Sequence, residues 1–163
     1  MQKLEQISHE ERVYIDETGL DSNDLYVFGW SKKGERCHAL KHGGNKERIS
    51  VISGLNQGKL MAPCYFIGYT DANVFNAWLE QALLPTLTAG MTVIMDNARF
   101  HKSDKTRELI ESAGCKLLFL PPYSPDFNPI EHRWFPLKNA AKKILQTFSC
   151  VYSAIETAIL MSS

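Results

Sequence analysis

The sequence predicts a mixed α/β fold: a central five-stranded sheet that begins as an antiparallel meander, with helices on both faces. Three observations predict it. Short β-rich runs separated by turn residues fill the first part of the chain, to about Gly68. From Asp71 the apolar period becomes helical, with Val74, Phe75, Trp78, Leu79, Ala82 and Leu83 on one stripe. After that stripe, helical segments alternate with apolar β-runs.

Residues 1–10 read as a polar lead-in or linker stub, and residues 11–163 as one domain. A chain of 163 residues is long enough to bury a sizeable core. Residues 12–17 form the first strand, placed centrally because Val13 and Ile15 are β-formers. Residues 25–31 read as a second strand, paired with the first across a turn that opens at Gly19. Lys33-Gly34 turns, residues 36–40 are a short strand or an extended loop, and His42-Gly43-Gly44-Asn45 is a flexible tip. Residues 48–55 and 62–68 continue the meander, with Asn56-Gln57-Gly58 turning between them, because antiparallel neighbours need only short connections.

Thr70 or Asp71 caps the first long helix, and Pro85 ends it. Thr92 to Met95 reads as a strand buried on both faces. Lys102 to Ala113 is helical, stopped by Gly114. The run Leu117-Leu118-Phe119-Leu120 reads as another strand buried on both faces. Pro121 and Pro122 stop it, because neither can donate to a ladder. Asn128 suits an N-cap, Pro129 suits the first helical position, and Glu131 stands three residues after the cap. The stripe Ile130, Trp134, Leu137, Ala141 and Ile144 crosses Pro136. A proline in a helix interior costs about 3 kcal/mol, so a kinked rather than a broken helix is expected, with packing offsetting the cost. Residues 151–161 form a last helix.

Hydrophobic content of 44% and charged content of 22% are ordinary for a soluble globular chain. No apolar run is long enough to span a bilayer and no signal peptide is visible, which points to the cytoplasm. Cys37, Cys64, Cys115 and Cys150 are scattered and read as reduced, mostly buried thiols. Cys37, His38 and His42 lie close together, but no fourth ligand stands at a zinc-finger spacing. The formal net charge of zero argues against non-specific coating of DNA. The charge is unevenly spread, however: residues 32–48 carry a net +4. That stretch is either a solvated face or a phosphate track beside an acidic pocket.

The acids carry the chemistry. Asp96 ends the run Thr92-Val93-Ile94-Met95-Asp96-Asn97, and 34 residues separate it from Glu131. Asp16 lies on the first strand, in Val13-Tyr14-Ile15-Asp16-Glu17-Thr18-Gly19. Taken alone, Glu131 reads as a capping-box residue that satisfies a backbone N–H. Asp16-Glu17-Thr18-Gly19, Asp96-Asn97-Ala98 and Leu120-Pro-Pro-Tyr-Ser-Pro-Asp-Phe-Asn-Pro-Ile-Glu131, with Trp134, Leu137 and Lys138 after them, together resemble the catalytic domain of DDE transposases. The likeness is to bacterial insertion-sequence enzymes of the mariner-like superfamily, and it runs from about Val13 to Lys143.

The resemblance implies a ribonuclease-H-like fold, two Mg²⁺ or Mn²⁺ ions, and cutting and joining of DNA strands at element ends and target. It assigns Asp16, Asp96 and Glu131 as catalytic metal ligands, with Asp16 bridging the two ions. Three crowded carboxylates cannot all ionise cheaply without cations, so a poorly ordered or partly protonated site is expected in their absence. It also implies a helix-turn-helix DNA-binding half, which is not visible in this sequence, and a homodimer at work. Glu17 points to the other side of the strand from Asp16, which gives it a structural or surface role. Asn97 and His101 either steer the scissile phosphate or a water, or hold the turn before the next helix. Lys138 stands two turns after Glu131 on nearly the same helix face, and with Lys142 it is a candidate phosphate contact. Competing functions are a ribonuclease H or junction resolvase, and a non-catalytic remnant that serves as a DNA-associated scaffold.

Overall fold

The structure is a computed structural model that describes residues 2–21, 48–121, 127–145 and 151–161. Its five strands are β1 (Arg12–Asp21), β2 (Arg48–Asn56), β3 (Lys59–Ile67), β4 (Thr92–Met95) and β5 (Lys116–Phe119). They form one sheet in the order β3-β2-β1-β4-β5. The first three are antiparallel to one another, while β4 runs parallel to β1 and β5 parallel to β4. The predicted central place of β1 therefore holds. The strands expected at 25–31 and 36–40, the cysteine and histidines near position 40, and residues 122–126 of the proline-rich segment lie outside the described residues.

β1 is longer than its sequence suggests. Gly19 does not open a turn; it pairs with Ser50 within the ladder, which runs on to Asp21 opposite Arg48. The Arg48 guanidinium lies where a Cβ on residue 19 would stand, at 2.3 Å from that position. Gly19 thus lets an arginine lie flat across the strand. The β2–β3 hairpin turns at Gln57 and Gly58, both at positive φ (47° and 81°). That is the twist a two-residue connection between right-twisted strands requires. The ladder then shifts register beyond Ile52 and Gly54. Pro63 has no N–H to give there, Ala62 takes a positive φ of 46°, and the Ala62 carbonyl accepts from the Trp78 indole at 2.8 Å.

Helices cover both faces. α1 (Gln2–Glu5) is a single turn at the start of the chain. α2 (Ala72–Trp78) begins at Asp71, whose carboxylate accepts from the N–H groups of Asn73 and Val74. It then widens into a π-helical turn at Leu79–Leu83 and tightens into a 3₁₀ turn containing Pro85. α3 (Asp104–Ser112) starts two residues later than expected, because a 3₁₀ turn at Arg99–Lys102 precedes it and Ser103 caps it. α2 and α3 pack Phe75, Trp78, Leu79, Leu83 and Ile110 on Val13, Ile15, Ile52, Val93 and Met95.

α4 (Glu131–Leu145) and α5 (Val151–Leu160) cover the opposite face. There Ile130, Trp134, Leu137, Ala141, Ile155 and Ala158 meet Leu20, Ile49, Val51 and Leu55. α4 is continuous through Pro136. Its buried side chains contribute roughly 1.5–3 kcal/mol each, which outweighs one lost hydrogen bond. Two expectations need correction. Leu117, Leu118 and Phe119 are half-buried, because β5 stands at the end of the described sheet. Asn128 is not the cap of α4. Its side chain is buried and donates from Nδ2 to the Ile15 carbonyl on β1 at 3.4 Å. Among the described residues, no helix is long and apolar enough to cross a membrane.

Gly54 is a close approach between the sheet and the turn that follows α2. A Cβ there would stand 3.0 Å from Leu83 Cδ1 and 3.4 Å from Val13 Cγ1. Gly54→Ala is expected to destabilise the fold by about 1–3 kcal/mol through overpacking. Urea midpoints of the two proteins check this, and an unchanged midpoint would mean that α2 yields freely.

Candidate active site

The parallel register gives two acids matching places on neighbouring strands. Tyr14 pairs with Ile94, and Asp16 and Asp96 stand two residues farther along their respective strands. Side chains alternate along β1. Tyr14 packs in the α4/α5 layer, whereas Val13 and Ile15 pack in the α2/α3 layer. Asp16 follows Tyr14, and its Oδ2 accepts from the Trp134 indole N–H at 2.7 Å. Glu17 follows Ile15, and its Oε1 lies 2.9 Å from His101 Nε2. The expectation that Glu17 points away from Asp16 is therefore met, and its partner is a buried histidine.

Glu131 is the first residue of α4 and is exposed. The helix enters through a tight turn, with the Glu131 N–H donating to the Asn128 carbonyl at 3.1 Å. The Glu131 carboxylate makes no hydrogen bond among the described residues, so it does not close a capping box. It does act on Asp16 through space. The Asp16 carboxyl is pushed up to about 7, chiefly by burial and also by the charges of Glu17 and Glu131, against the hydrogen bond from Trp134. Asp16 is thus the acid whose carboxyl is raised, and burial rather than crowding by the other acids is the main cause.

Asp96 is held low. Its Oδ1 accepts from His101 Nδ1 at 2.7 Å and from the Ala98 N–H at 2.9 Å. The hydrogen bond from His101 is the main reason its carboxyl lies below the ordinary value. His101 itself is wholly buried. Burial alone would push its imidazole down, but the hydrogen bonds and charges of Asp96 and Glu17 override that and raise it to about 9. Asn97 Nδ2 donates to the Leu120 carbonyl, which joins the ends of β4 and β5. Asn97 thus ties β4 to β5, and His101 ties Asp96 to β1.

A family model of the DDE superfamily endonucleases matches residues 11–153. The chain belongs to this superfamily. The chain is 29% identical to the transposable element Tcb1 transposase of Caenorhabditis briggsae over 114 residues, 67% of this chain and 41% of that protein. It is 27% identical to the uncharacterized 39 kDa protein of insertion element IS630 from Shigella sonnei over 134 residues, 80% of this chain and 39% of the relative. The chain thus spans about two fifths of the length of these curated relatives. Its ribonuclease-H-like fold is shared with the catalytic core domain of BIV integrase (TM-score 0.57, 16% identity, 93% of this chain and 82% of that one). The Mos1 strand transfer complex gives a TM-score of 0.61 at 15% identity, over 99% of this chain and 55% of that one.

Membership of the superfamily implies use of divalent metal ions in general. The acids of this chain fit such an ion chemically. All are hard oxygen donors, and the raised Asp16 carboxyl marks a spot where further negative charge is unwelcome. As the side chains lie, no three His, Cys, Asp or Glu residues among the described ones stand close enough to hold a metal together. Lys138 is half-buried on α4, and the side chain of Lys142 lies outside the described residues.

Two features escaped sequence reasoning. The first is the Trp134–Asp16 bond. Its signal is general: a buried indole N–H needs an acceptor. The second is a cleft of about 280 Å³ lined by Asn97, Lys102, Ser103, Arg107, Leu117 and Phe119. Lys102 Nζ lies 5.8 Å from the centre of the Phe119 ring across it.

The shifted groups predict a pH dependence. Asp16, raised from 3.8 to about 7, contributes stability that is complete below 3.8 and lost as pH rises through 7. His101, raised from 6.5 to about 9, contributes stability present below 6.5 and lost through 9. Asp96 works the other way, since its contribution fades only as pH falls through its lowered value. In metal-free buffer, Asp16→Asn should therefore be more stable than the parent at pH 8, by on the order of 1–3 kcal/mol. The advantage should shrink towards pH 4.5. Urea midpoints across that range check it, and a pH-independent difference would contradict it.

Proposed function

We propose that this chain is the catalytic domain of a transposase, which nicks DNA at the ends of a mobile element and joins the freed 3′-hydroxyl to target DNA. The observation that carries the reading is the acid pair Asp16 and Asp96 on neighbouring parallel strands, with Glu131 near enough to act on Asp16. The superfamily match supports it. Asp16, Asp96 and Glu131 are the residues that would hold two Mg²⁺ or Mn²⁺ ions. Such ions, when bound, supply charge stabilisation at the attacking and leaving oxygens of an in-line displacement.

The rest of the work falls to this chain's own groups. Trp134 and His101 fix the carboxylates they bond to, so that each presents its other oxygen. Lys102 and Arg107, beside Asn97, offer cations to the phosphates flanking the scissile bond. Lys138 and Lys142, on the helix that starts with Glu131, extend that track. DNA is thus the partner, both as element ends and as target. A helix-turn-helix half and a second copy of the chain complete the working complex.

Glu131 gives the sharpest test. It is exposed and makes no side-chain hydrogen bond among the described residues. Glu131→Gln and Glu131→Ala should therefore both leave stability within about 0.5 kcal/mol of the parent. Mg²⁺-dependent nicking of plasmid DNA carrying element ends should fall by about 10²-fold or more in both, because a ligand charge is lost. Urea midpoints and nicking rates decide the matter. Near-parental nicking by Glu131→Gln would remove Glu131 from the site.

A further inference from the structure

His101 spends both ring nitrogens on carboxylates, Nδ1 on Asp96 at 2.7 Å and Nε2 on Glu17 at 2.9 Å. The ring has no solvent exposure. Phe75 and Phe100 pack against it, with ring centroids 4.5 and 4.4 Å away. It therefore has no room to swing. Asp96 is different: it stands just past the end of β4, and its side chain is 53% exposed. A carboxylate so placed would sample several rotamers if nothing held it. Its Oδ1 is instead gripped from two sides, by the ring and by the Ala98 N–H, and Oδ2 is left as the oxygen open to a ligand.

The far end of the imidazole is tied to β1, at the residue next to Asp16. A continuous chain of hydrogen bonds, Glu17 to His101 to Asp96, thus runs between the two strands that carry the acid pair. Stability alone does not account for it. Taking an imidazole and a carboxylate out of water is expensive, and an apolar side chain against Phe75 and Phe100 would fill the space without that expense.

We infer that His101 is a positioning residue that orients the Asp96 carboxylate towards the divalent ion, with Glu17 as its anchor on β1. This rests on the proposed role of Asp96 as a metal ligand. A partner that orients a metal-binding side chain typically changes metal affinity by about 10–100-fold when it is lost. A buried pair that only holds the fold together would change stability and leave the affinity of the folded protein alone.

The probe is Mn²⁺ alone, with the free ion followed by its electron paramagnetic resonance signal. The proteins are the parent, Asp96→Asn, His101→Gln, Glu17→Ala and Glu17→Gln, each first shown to be folded. His101→Gln and Glu17→Ala should bind Mn²⁺ about 10–100-fold more weakly than the parent. Glu17→Gln should keep most of the affinity, because its amide oxygen still accepts from Nε2. Parental Mn²⁺ affinity in folded His101→Gln, alongside lost binding in Asp96→Asn, would overturn the inference while leaving Asp96 as a ligand. Parental affinity in Asp96→Asn would overturn the ligand reading itself, and the inference with it. If His101→Gln does not fold, ¹⁵N-histidine spectra of the parent serve instead. The His101 ring signals should shift on adding Mg²⁺ while those of His9 and His132 stay in place. A His101 signal indifferent to saturating Mg²⁺ would overturn the inference.

Discussion

Three residues of β1, Arg12 to Tyr14, pair in parallel with Thr92 to Ile94 of β4, and the site depends on that pairing. A parallel pair runs both strands the same way, so Asp16, midway along β1, and Asp96, just past the end of β4, each lie two residues beyond the paired Tyr14 and Ile94. The long ladder from Tyr14 to Asp21 against β2 holds β1 on its other side. Asn128 adds a tie from the entry of α4 to the Ile15 carbonyl, next to Asp16. The start of α4, and with it Glu131, is thereby referenced to the strand that carries the first acid.

Charge explains why the surroundings differ for each acid. Asp16 is largely buried beside other carboxylates, and hydrogen bonds from the Trp134 indole and the Glu17 backbone only partly offset that burial. Asp96 is half-exposed and is stabilised as an anion by a protonatable ring and a backbone N–H. Glu131 is open to solvent. The three acids are thus graded from strongly to weakly desolvated. Such grading keeps negative charge available for a cation without placing all three charges in a low-dielectric pocket.

Much of this was legible in the sequence, for reasons that can be named. Thr92 to Met95 is uniformly apolar and short, so its burial and the position of Asp96 just past its end followed directly. The stripe from Ile130 to Ala141 outweighed Pro136 because four large contacts exceed one missing hydrogen bond. The errors came where a local signal met a tertiary demand. Gly19 carried a turn signal, yet its missing side chain serves the Arg48 guanidinium across the ladder. Asn128 carried a capping signal, yet its amide is used on β1. Leu117 to Phe119 are apolar enough for a central strand, but strand order is decided by pairing partners that no local pattern encodes. His101 was open between two roles, because only the fold shows that Glu17 and Asp96 reach it from opposite sides.

The central claim is that one divalent-ion site is built from the middle of β1, the end of β4 and the start of α4. Cleavage of the chain by hydroxyl radicals from bound Fe²⁺, with ascorbate and peroxide, tests it most directly, because such radicals cut the backbone only near the ion. The account predicts cuts at three separated segments, around Asp16, Asp96 and Glu131, all suppressed by excess Mg²⁺. Cuts confined to other segments, or cuts at these three that Mg²⁺ does not suppress, would contradict it.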